Sequence, residues 1–146
     1  MNKHSFSTNN LIVIADADFI VSQAIAEDSN HLLALELAQK LDEKGTQTIF
    51  PSTAITEAVT ALQRKFSNPH LATRTLNLFS APGINIESID AEIIQEASKL
   101  FNPASSKHNT FFDCIVATVA KKHNADAIFS FDVWYTKLGF KLVSEL

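Results

Sequence analysis

Five acidic residues, far apart in the sequence, are the main candidates for chemistry: Asp16, Asp18, Glu57, Asp113 and Asp132. None of them has a lysine or arginine as a close sequence neighbour. Carboxylates that converge without paired cations repel one another unless they bind hard divalent cations. Oxygen-only ligands suit Mg²⁺ or Mn²⁺, whereas zinc prefers nitrogen and sulfur. If these side chains meet in the fold, their chemistry predicts a site for Mg²⁺ or Mn²⁺.

Asp113 has the most informative surroundings of the five acids. The apolar sequences "FF" and "CIVA" flank it, and the same helix face carries Ala117 and Ala120. Small residues on that face allow the helix to pack closely, which leaves the carboxylate pointing into a confined space. An unpaired charge there would cost several kcal/mol, so a bound cation is the favoured partner.

Each acid also has a purely structural interpretation. Asp16 or Asp132 could cap a helix, and Glu57 could be a solvated acid near a helix start. Asp113 could complete a capping box with Thr110. For any one residue the structural interpretation is favoured, and only the combination of all of them indicates a site.

Strands and helices alternate along the whole sequence. Apolar runs predict strands in LIVIAD, QTIFP, INIES, AIFSF and FKLV. Apolar residues at helical spacing predict helices in HLLALELAQKLDEKG, TAITEAVTALQRKF, HLATRTLNLFS, AEIIQEASKLF and TFFDCIVATVAKKHN, with a helical turn in DVWYTKL. The alternation predicts one α/β domain, a three-layer α/β/α sandwich with a mostly parallel central sheet.

This architecture would bring the acids to one edge of the sheet. Asp16 ends the first predicted strand, and Asp132 follows the fourth. Glu57 lies in the helix after the second strand, and Asp113 lies in the first turn of the helix before the fourth. Because ligands of open α/β sheets bind beyond the carboxyl ends of the strands, we expect these side chains to converge there.

Composition narrows the class of protein. The 146 residues, 46% of them hydrophobic and 19% charged, fit one globular domain over residues 1–146, with residues 1–10 as a polar N-terminal extension. The net charge of −4 argues against a broad basic surface for nucleic acid. One cysteine excludes an internal disulfide and fits a reducing cytoplasm. We expect neither a signal peptide nor a membrane span.

The chain resembles the PIN-domain ribonucleases, above all the VapC toxins of bacterial toxin–antitoxin pairs. Four pieces carry the resemblance: LIVIAD ending in Asp16, Glu57 within PSTAITEAV, FFDCIVATVAKKHNADAIFSFD with Asp113 and Asp132, and the closing LGFKLV. No piece is specific by itself. Their order, spacing and strand–helix context match over nearly the whole chain.

The resemblance implies a metal-dependent endoribonuclease that uses Mg²⁺ or Mn²⁺. Its acidic pocket would consist of Asp16, Glu57, Asp113 and Asp132, with Ser130 orienting the groups around the metal. It also implies a homodimer and a cognate antitoxin whose tail enters the acidic groove.

Two positions depart from the family pattern. Asp18 stands where many relatives have Ser, Thr or Asn, and Trp134 stands where many have a second acid. Asp18 either replaces the missing acid, as a ligand or as the holder of a water, or points away and caps the next helix. Whether a second metal ion binds is therefore open. Trp134 and its neighbour Tyr135 are expected to pack in the core or in a dimer interface rather than stack on a base.

RNA must be held by a protein with net negative charge, so a local set of basic residues is needed. The candidates are Arg64, Lys65, Arg74, Lys107 and His108. Lysines on helix surfaces are often only solvated, which leaves these assignments as the weakest of the set.

Three other classes of protein fit part of the pattern. A haloacid-dehalogenase-like phosphatase would use the DAD sequence, but it needs a Gly- or Thr-rich turn there and a lysine better placed than Lys121 or Lys122. A receiver domain would need an aspartate where INIES ends in Glu87 and Ser88. A non-catalytic PIN-fold binding module stays open because of Trp134.

Overall fold

The computed structural model describes residues 10–104 and 108–146. Within them, four strands form one parallel sheet in the order β3-β2-β1-β4: β1 (Ile12–Ala15), β2 (Gln47–Pro51), β3 (Asn85–Glu87) and β4 (Ala127–Phe129). The helices are α1 (Ala17–Ala24), α2 (His31–Glu43), α3 (Ser52–Arg64), α4 (Pro69–Phe79), α5 (Ala91–Ser98), α6 (Phe111–Lys122) and α7 (Trp134–Lys137), followed by a 3₁₀ helix (Val143–Glu145). Part of the predicted N-terminal extension, residues 1–9, lies outside the described ranges.

Two hydrophobic cores cover the two faces of the sheet. Side chains alternate along each strand, so that Ile14 and Ile128 face α5 and α6. Val13 and Phe129 point to the other face, against α1, α2 and α3. Both faces of the central strands are therefore buried, as their nearly continuous apolar sequence requires. The predicted three-layer sandwich with a parallel sheet is confirmed.

The register of β1 and β4 determines which residues lie at the carboxyl edge of the sheet. Ala15 in β1 is opposite Phe129 in β4, and the ladder continues one step further, where Asp16 N–H donates to the carbonyl oxygen of Phe129 at 3.0 Å. The next residues along the two strands are thus Asp16 and Ser130. They emerge side by side at the end of the sheet.

Two elements differ from the sequence-based prediction. FKLV does not form a strand: only Leu142 makes a parallel bridge, to Ile128, and the chain then turns into the 3₁₀ helix. Helix α1 is an addition, because no helix is predicted between LIVIAD and HLLALELAQKLDEKG, although DAD offers possible helix caps. In the described part of the chain, no helix is both long enough and apolar enough to cross a membrane.

Candidate active site

Asp16 joins strand β1 to helix α1. Its Oδ1 atom accepts a hydrogen bond from Ala17 N–H at 2.7 Å, so it is the N-cap of α1. Its Oδ2 atom accepts from the Tyr135 hydroxyl at 2.8 Å and lies 3.2 Å from Ser130 Oγ, which also donates. The side chain is buried, with only 4% of the residue exposed. The structural interpretation of Asp16 as a cap is thus correct, and the carboxylate also belongs to a buried polar network.

Asp18, in the first turn of α1, turns toward the end of β4. Its Oδ2 atom accepts hydrogen bonds from Ser130 Oγ at 2.7 Å and from Phe131 N–H at 2.8 Å. Its Oδ1 atom is buried and has no hydrogen-bond partner among the described residues. The alternative in which Asp18 points away and caps the next helix is therefore wrong, because the cap of α1 is Asp16.

Asp113 approaches the same edge from helix α6. Its Oδ2 atom accepts from Thr110 N–H at 2.8 Å, the backbone contact expected of a capping box. Its Oδ1 atom accepts from the Tyr135 hydroxyl at 3.3 Å. One oxygen therefore closes the start of the helix, and the other faces the network around Asp16.

Asp132 follows β4 and is half-buried. Its backbone N–H donates to Ser130 Oγ at 3.0 Å, and its Oδ1 atom accepts from Trp134 N–H at 2.9 Å. Its Oδ2 atom accepts from Asn109 Nδ2 at 2.8 Å. Asp132 is thus connected through Ser130 to the acids at the start of α1.

Glu57 lies in the second turn of α3 and is half-buried. Burial raises the pKa of its carboxyl to about 7, and the negative charges of Asp113 and Asp18 add to this effect. Glu57 therefore lies within electrostatic range of Asp113 and Asp18.

The acids lie in an environment that disfavours their charged forms. Burial raises the pKa of Asp16 well above its ordinary value, and the charges of Asp18 and Asp113 raise it further. Burial also raises the pKa of Asp18 to about 6 and that of Asp113 above its usual range. The ion pairs formed by lysines of the described ranges lie elsewhere, on Glu36, Glu87 and Glu96. The hydrogen bonds described above come from backbone N–H groups, hydroxyl groups and the Asn109 amide, which do not cancel the charge of those acids that are ionised.

The donor set fits a hard divalent cation by its chemistry. All its side-chain donors are oxygens, and Asp18 Oδ1 is a buried acceptor without a partner in the described ranges. The same ranges contain no group of three or more His, Cys, Asp or Glu side chains already arranged to hold an ion. The oxygen donors therefore suit a hard divalent cation by their chemistry. To surround an ion, the carboxylate groups would have to move closer to one another.

A comparison with protein families identifies this arrangement. The family model of the PIN domain matches residues 13–141. The chain belongs to the PIN domain family. The match includes all five acids, so the predicted resemblance is confirmed over the part of the chain that carries the site.

Individual relatives agree with the family. The chain is 30% identical over 108 residues to a VapC ribonuclease of Aquifex aeolicus (strain VF5). These 108 residues are 73% of this chain and 76% of that protein. The fold is similar to that of VapC20 of Mycobacterium tuberculosis, described as a sarcin–ricin loop cleaving toxin. The TM-score is 0.76 and the sequence identity is 18%, and the match covers 88% of this chain and 95% of that one. VapBC2 of Rickettsia felis, bound to a DNA fragment of its promoter, has a TM-score of 0.62, 15% identity and coverage of 90% and 96%.

The proposed RNA-binding residues that the structure describes lie in different parts of this PIN domain. Arg64 and Lys65 are exposed at the end of α3, about two turns beyond Glu57. Arg74 is exposed on α4, where it lines an apolar groove between α1, α2 and α4. His108 is exposed in the segment before α6, and Lys107 lies outside the described residues. Their role in binding RNA stays a prediction.

Two residues of the site were missed by sequence reasoning. The ring of Tyr135 is buried in the core, as expected, but its hydroxyl reaches Asp16 and Asp113. Asn109, in the loop before α6, binds Asp132. Neither residue type carries a sequence signal for this role, although both lie within four residues of a predicted acid.

Proposed function

We propose that this PIN-domain protein is a metal-dependent endoribonuclease that hydrolyses RNA phosphodiester bonds, and that it is the toxin of a toxin–antitoxin pair. The observation that carries the proposal is the convergence of acids from the end of β1, α3, α6 and the end of β4. The pKa values of Asp16, Glu57 and Asp113 are raised, and no lysine or arginine of the described ranges forms an ion pair with the group. The similarity to a VapC ribonuclease supports the choice of RNA as substrate.

The cofactor in this proposal is Mg²⁺ or Mn²⁺. Asp16, Asp113 and Asp132 would hold it directly or through water, and the unpartnered Oδ1 atom makes Asp18 a further ligand or the holder of a water. When bound, such an ion supplies positive charge that stabilises the negative charge developing on the phosphate.

The chain's own residues orient the reacting groups. Glu57 has a pKa of about 7, so near neutral pH its carboxylate can take a proton from a water molecule that attacks the phosphorus. As the water oxygen bonds to phosphorus, the P–O bond to the leaving oxygen breaks, and that oxygen takes up a proton from solvent. Ser130 Oγ lies within hydrogen-bond distance of both acids at the start of α1, donates its one proton to either of them, and accepts from the backbone N–H of Asp132. In this proposal Ser130 orients the acidic residues around the metal, as the family resemblance implies.

The partners complete the proposal. Arg64, Lys65, Arg74, Lys107 and His108 would bind RNA phosphates, which requires that the substrate extend well beyond the acids. We further propose a cognate antitoxin and a homodimer, as the family resemblance implies. The similarity to the VapBC2 structure from Rickettsia felis supports the antitoxin. A cytoplasmic location fits the single, buried cysteine.

One alternative has an observation in its favour. The absence of a preformed ligand group in the described ranges, together with Trp134 in place of a second acid, would fit a PIN-fold module that binds a partner without catalysis. The phosphatase alternative loses its support, because the chain belongs to a different family.

Cleavage of RNA by the purified protein tests the proposal. We expect cleavage with Mg²⁺ or Mn²⁺, none after addition of EDTA, and a loss of at least about 100-fold in Asp113→Asn. Asp126→Asn is the matched control, because Asp126 precedes β4 at the opposite edge of the sheet and binds Ile12 N–H. Equal activity in Asp113→Asn and wild type, or cleavage that persists in EDTA, would contradict the proposal.

A further inference from the structure

Tyr135 is the only tyrosine of the chain and is completely buried, with 0% of the residue exposed. Its ring packs in the core beneath α5 and α6 and makes an edge contact with Trp134, with a centroid distance of 5.3 Å. Its hydroxyl is the one polar atom of the side chain. A buried hydroxyl of this kind needs a hydrogen-bond partner, and its choice of partner is therefore informative.

The hydroxyl lies between two carboxylates that come from opposite faces of the site. It is 2.8 Å from Asp16 Oδ2 and 3.3 Å from Asp113 Oδ1. A tyrosine hydroxyl has a single proton, so it donates to one of these oxygens at a time. A hydrogen bond from a neutral donor to a carboxylate is stronger than one between neutral groups, and it fixes the direction of the acceptor oxygen.

Among the hydrogen bonds of the described residues, no other side chain is seen to donate to Asp16 and Asp113 alike. Ser130 Oγ reaches Asp16 only at 3.2 Å and is closer to Asp18. Asp16 also accepts from the N–H of its neighbour Ala17, and Asp113 accepts from the N–H of Thr110, three residues before it, and from the side chain of Asn109. Tyr135 is therefore the side chain, within the described ranges, that joins the acid of β1 to the acid of α6.

We propose that Tyr135 is a positioning residue of the candidate active site, whose hydroxyl orients the carboxylates of Asp16 and Asp113 toward a shared divalent cation. The inference rests on the proposed function, because it assigns to Tyr135 a part in holding the metal of that function. Tyr135 is completely buried, so it acts through the two acids and does not touch the substrate.

The first experiment measures Mn²⁺ binding by the electron paramagnetic resonance signal of free Mn²⁺, without reference to catalysis. In Tyr135→Phe we expect the dissociation constant for Mn²⁺ to rise about tenfold or more. The matched control is Ser22→Ala, which also removes a buried hydroxyl bound to a carboxylate, that of Asp28 at 3.1 Å, but in the last turn of α1. We expect this control to bind Mn²⁺ like wild type.

The second experiment needs no substitution of Tyr135. Because the chain has one tyrosine, labelling the full chain with 3-fluorotyrosine gives one ¹⁹F resonance, which reports on position 135 alone. We expect Mg²⁺ to shift this resonance in a saturable manner in wild type and in Ser22→Ala, and to leave it unchanged in Asp113→Asn. This measurement tests whether Tyr135 responds to the bound cation even if Tyr135→Phe does not fold.

The outcomes separate this inference from the function on which it rests. If wild type binds Mn²⁺ and cuts RNA while Tyr135→Phe binds Mn²⁺ equally well, or while Mg²⁺ leaves the fluorine resonance unmoved, Tyr135 has only a packing role and the inference is wrong. If wild type neither binds Mn²⁺ nor cuts RNA, the proposed function fails, and the inference fails with it.

Discussion

Asp18 and Ser130 are 112 residues apart in the sequence, and a hydrogen bond of 2.7 Å from Ser130 Oγ to Asp18 Oδ2 joins them. The neighbouring Phe131 N–H donates to the same oxygen, whereas Asp18 Oδ1 is buried without a partner in the described ranges. The start of α1 is thus tied to the end of β4 by a carboxylate that uses only one of its two oxygens. A buried oxygen of this kind costs free energy unless a ligand satisfies it.

Replacement of this acid is therefore expected to stabilise the metal-free protein. In Asp18→Asn the carbonyl oxygen can still accept from Ser130 and Phe131, while one negative charge leaves the group. Since the pKa of Asp18 is raised from 3.8 to about 6, its ionisation destabilises the fold at pH 8 by up to about 3 kcal/mol. Urea unfolding in EDTA at pH 8 should show a gain of about 1 to 3 kcal/mol for the variant.

The same variant tests whether Asp18 is a ligand of the metal ion. If Asp18 Oδ1 takes part in holding the cation, Mg²⁺ will stabilise Asp18→Asn less than it stabilises wild type. Asp126→Asn removes a carboxylate that binds Ile12 N–H at the other edge of the sheet, and it should show no gain in stability. A loss of stability in Asp18→Asn in EDTA would contradict the repulsion on which this prediction depends.

The stability of the metal-free protein should fall as the pH rises. The pKa values of Asp16, Asp18, Glu57 and Asp113 are all raised in the fold, to about 6 for Asp18 and about 7 for Glu57, above their ordinary values of 3.8 and 4.5. Between about pH 4 and pH 7 the folded chain therefore binds more protons than the unfolded chain, so the free energy of unfolding decreases with pH. Urea unfolding in EDTA at pH 5 and pH 8 measures the difference.

Double replacement of two acids provides the control for this pH dependence. Asp18→Asn combined with Glu57→Gln removes two of the raised groups, so the loss of stability between pH 5 and pH 8 should shrink. An unfolding free energy that rises with pH, as in proteins whose carboxylates are held by ion pairs, would contradict the prediction.

Divalent cations should reverse this loss at pH 8. A ligand that binds only the folded state stabilises it by about 2.7 kcal/mol at a hundred times its dissociation constant. We expect Mg²⁺ or Mn²⁺ to raise the unfolding temperature of wild type and to have little effect on Asp16→Asn or Asp113→Asn. Differential scanning calorimetry with Ca²⁺-free buffers measures this, and an equal rise in all three proteins would indicate binding elsewhere.

The convergence of the acids could be predicted because it depends on features that the sequence encodes directly. The run LIVIA must be a buried strand, and in a parallel sheet the ends of such strands meet at one edge. That argument places Asp16 and Asp132 near each other, and the structure joins them through Ser130. The apolar helix around Asp113 predicted that its carboxylate is enclosed near the sheet. One of its oxygens accepts from Thr110 in the capping box and the other faces Asp16, so both interpretations of Asp113 hold.

The second layer of the site could not be predicted in this way. The inward direction of the Tyr135 hydroxyl depends on how the four residues of α7 pack against α6, which no local pattern specifies. Asn109 precedes the helix as an ordinary polar loop residue, and only the fold brings it to Asp132. FKLV has the composition of a strand, yet only Leu142 pairs, and the following 3₁₀ turn ends the contact.

Asn109 should matter for activity more than for stability. Its Nδ2 atom donates to Asp132 Oδ2 at 2.8 Å, and Asp132 is half-buried, so water can replace the bond in the folded protein at small cost. In Asn109→Ala the carboxylate of Asp132 loses its fixed direction, and we expect the kcat/KM for RNA cleavage to fall about 10- to 100-fold with less than about 1 kcal/mol of lost stability. Asn77→Ala, on the exposed surface of α4, is the matched control and should leave kcat/KM unchanged.

Asn109→Asp places a further negative charge beside Asp132, so its kcat/KM should fall more than that of Asn109→Ala. If Asn109→Asp retains the wild-type kcat/KM, Asp132 does not act in the site that we describe.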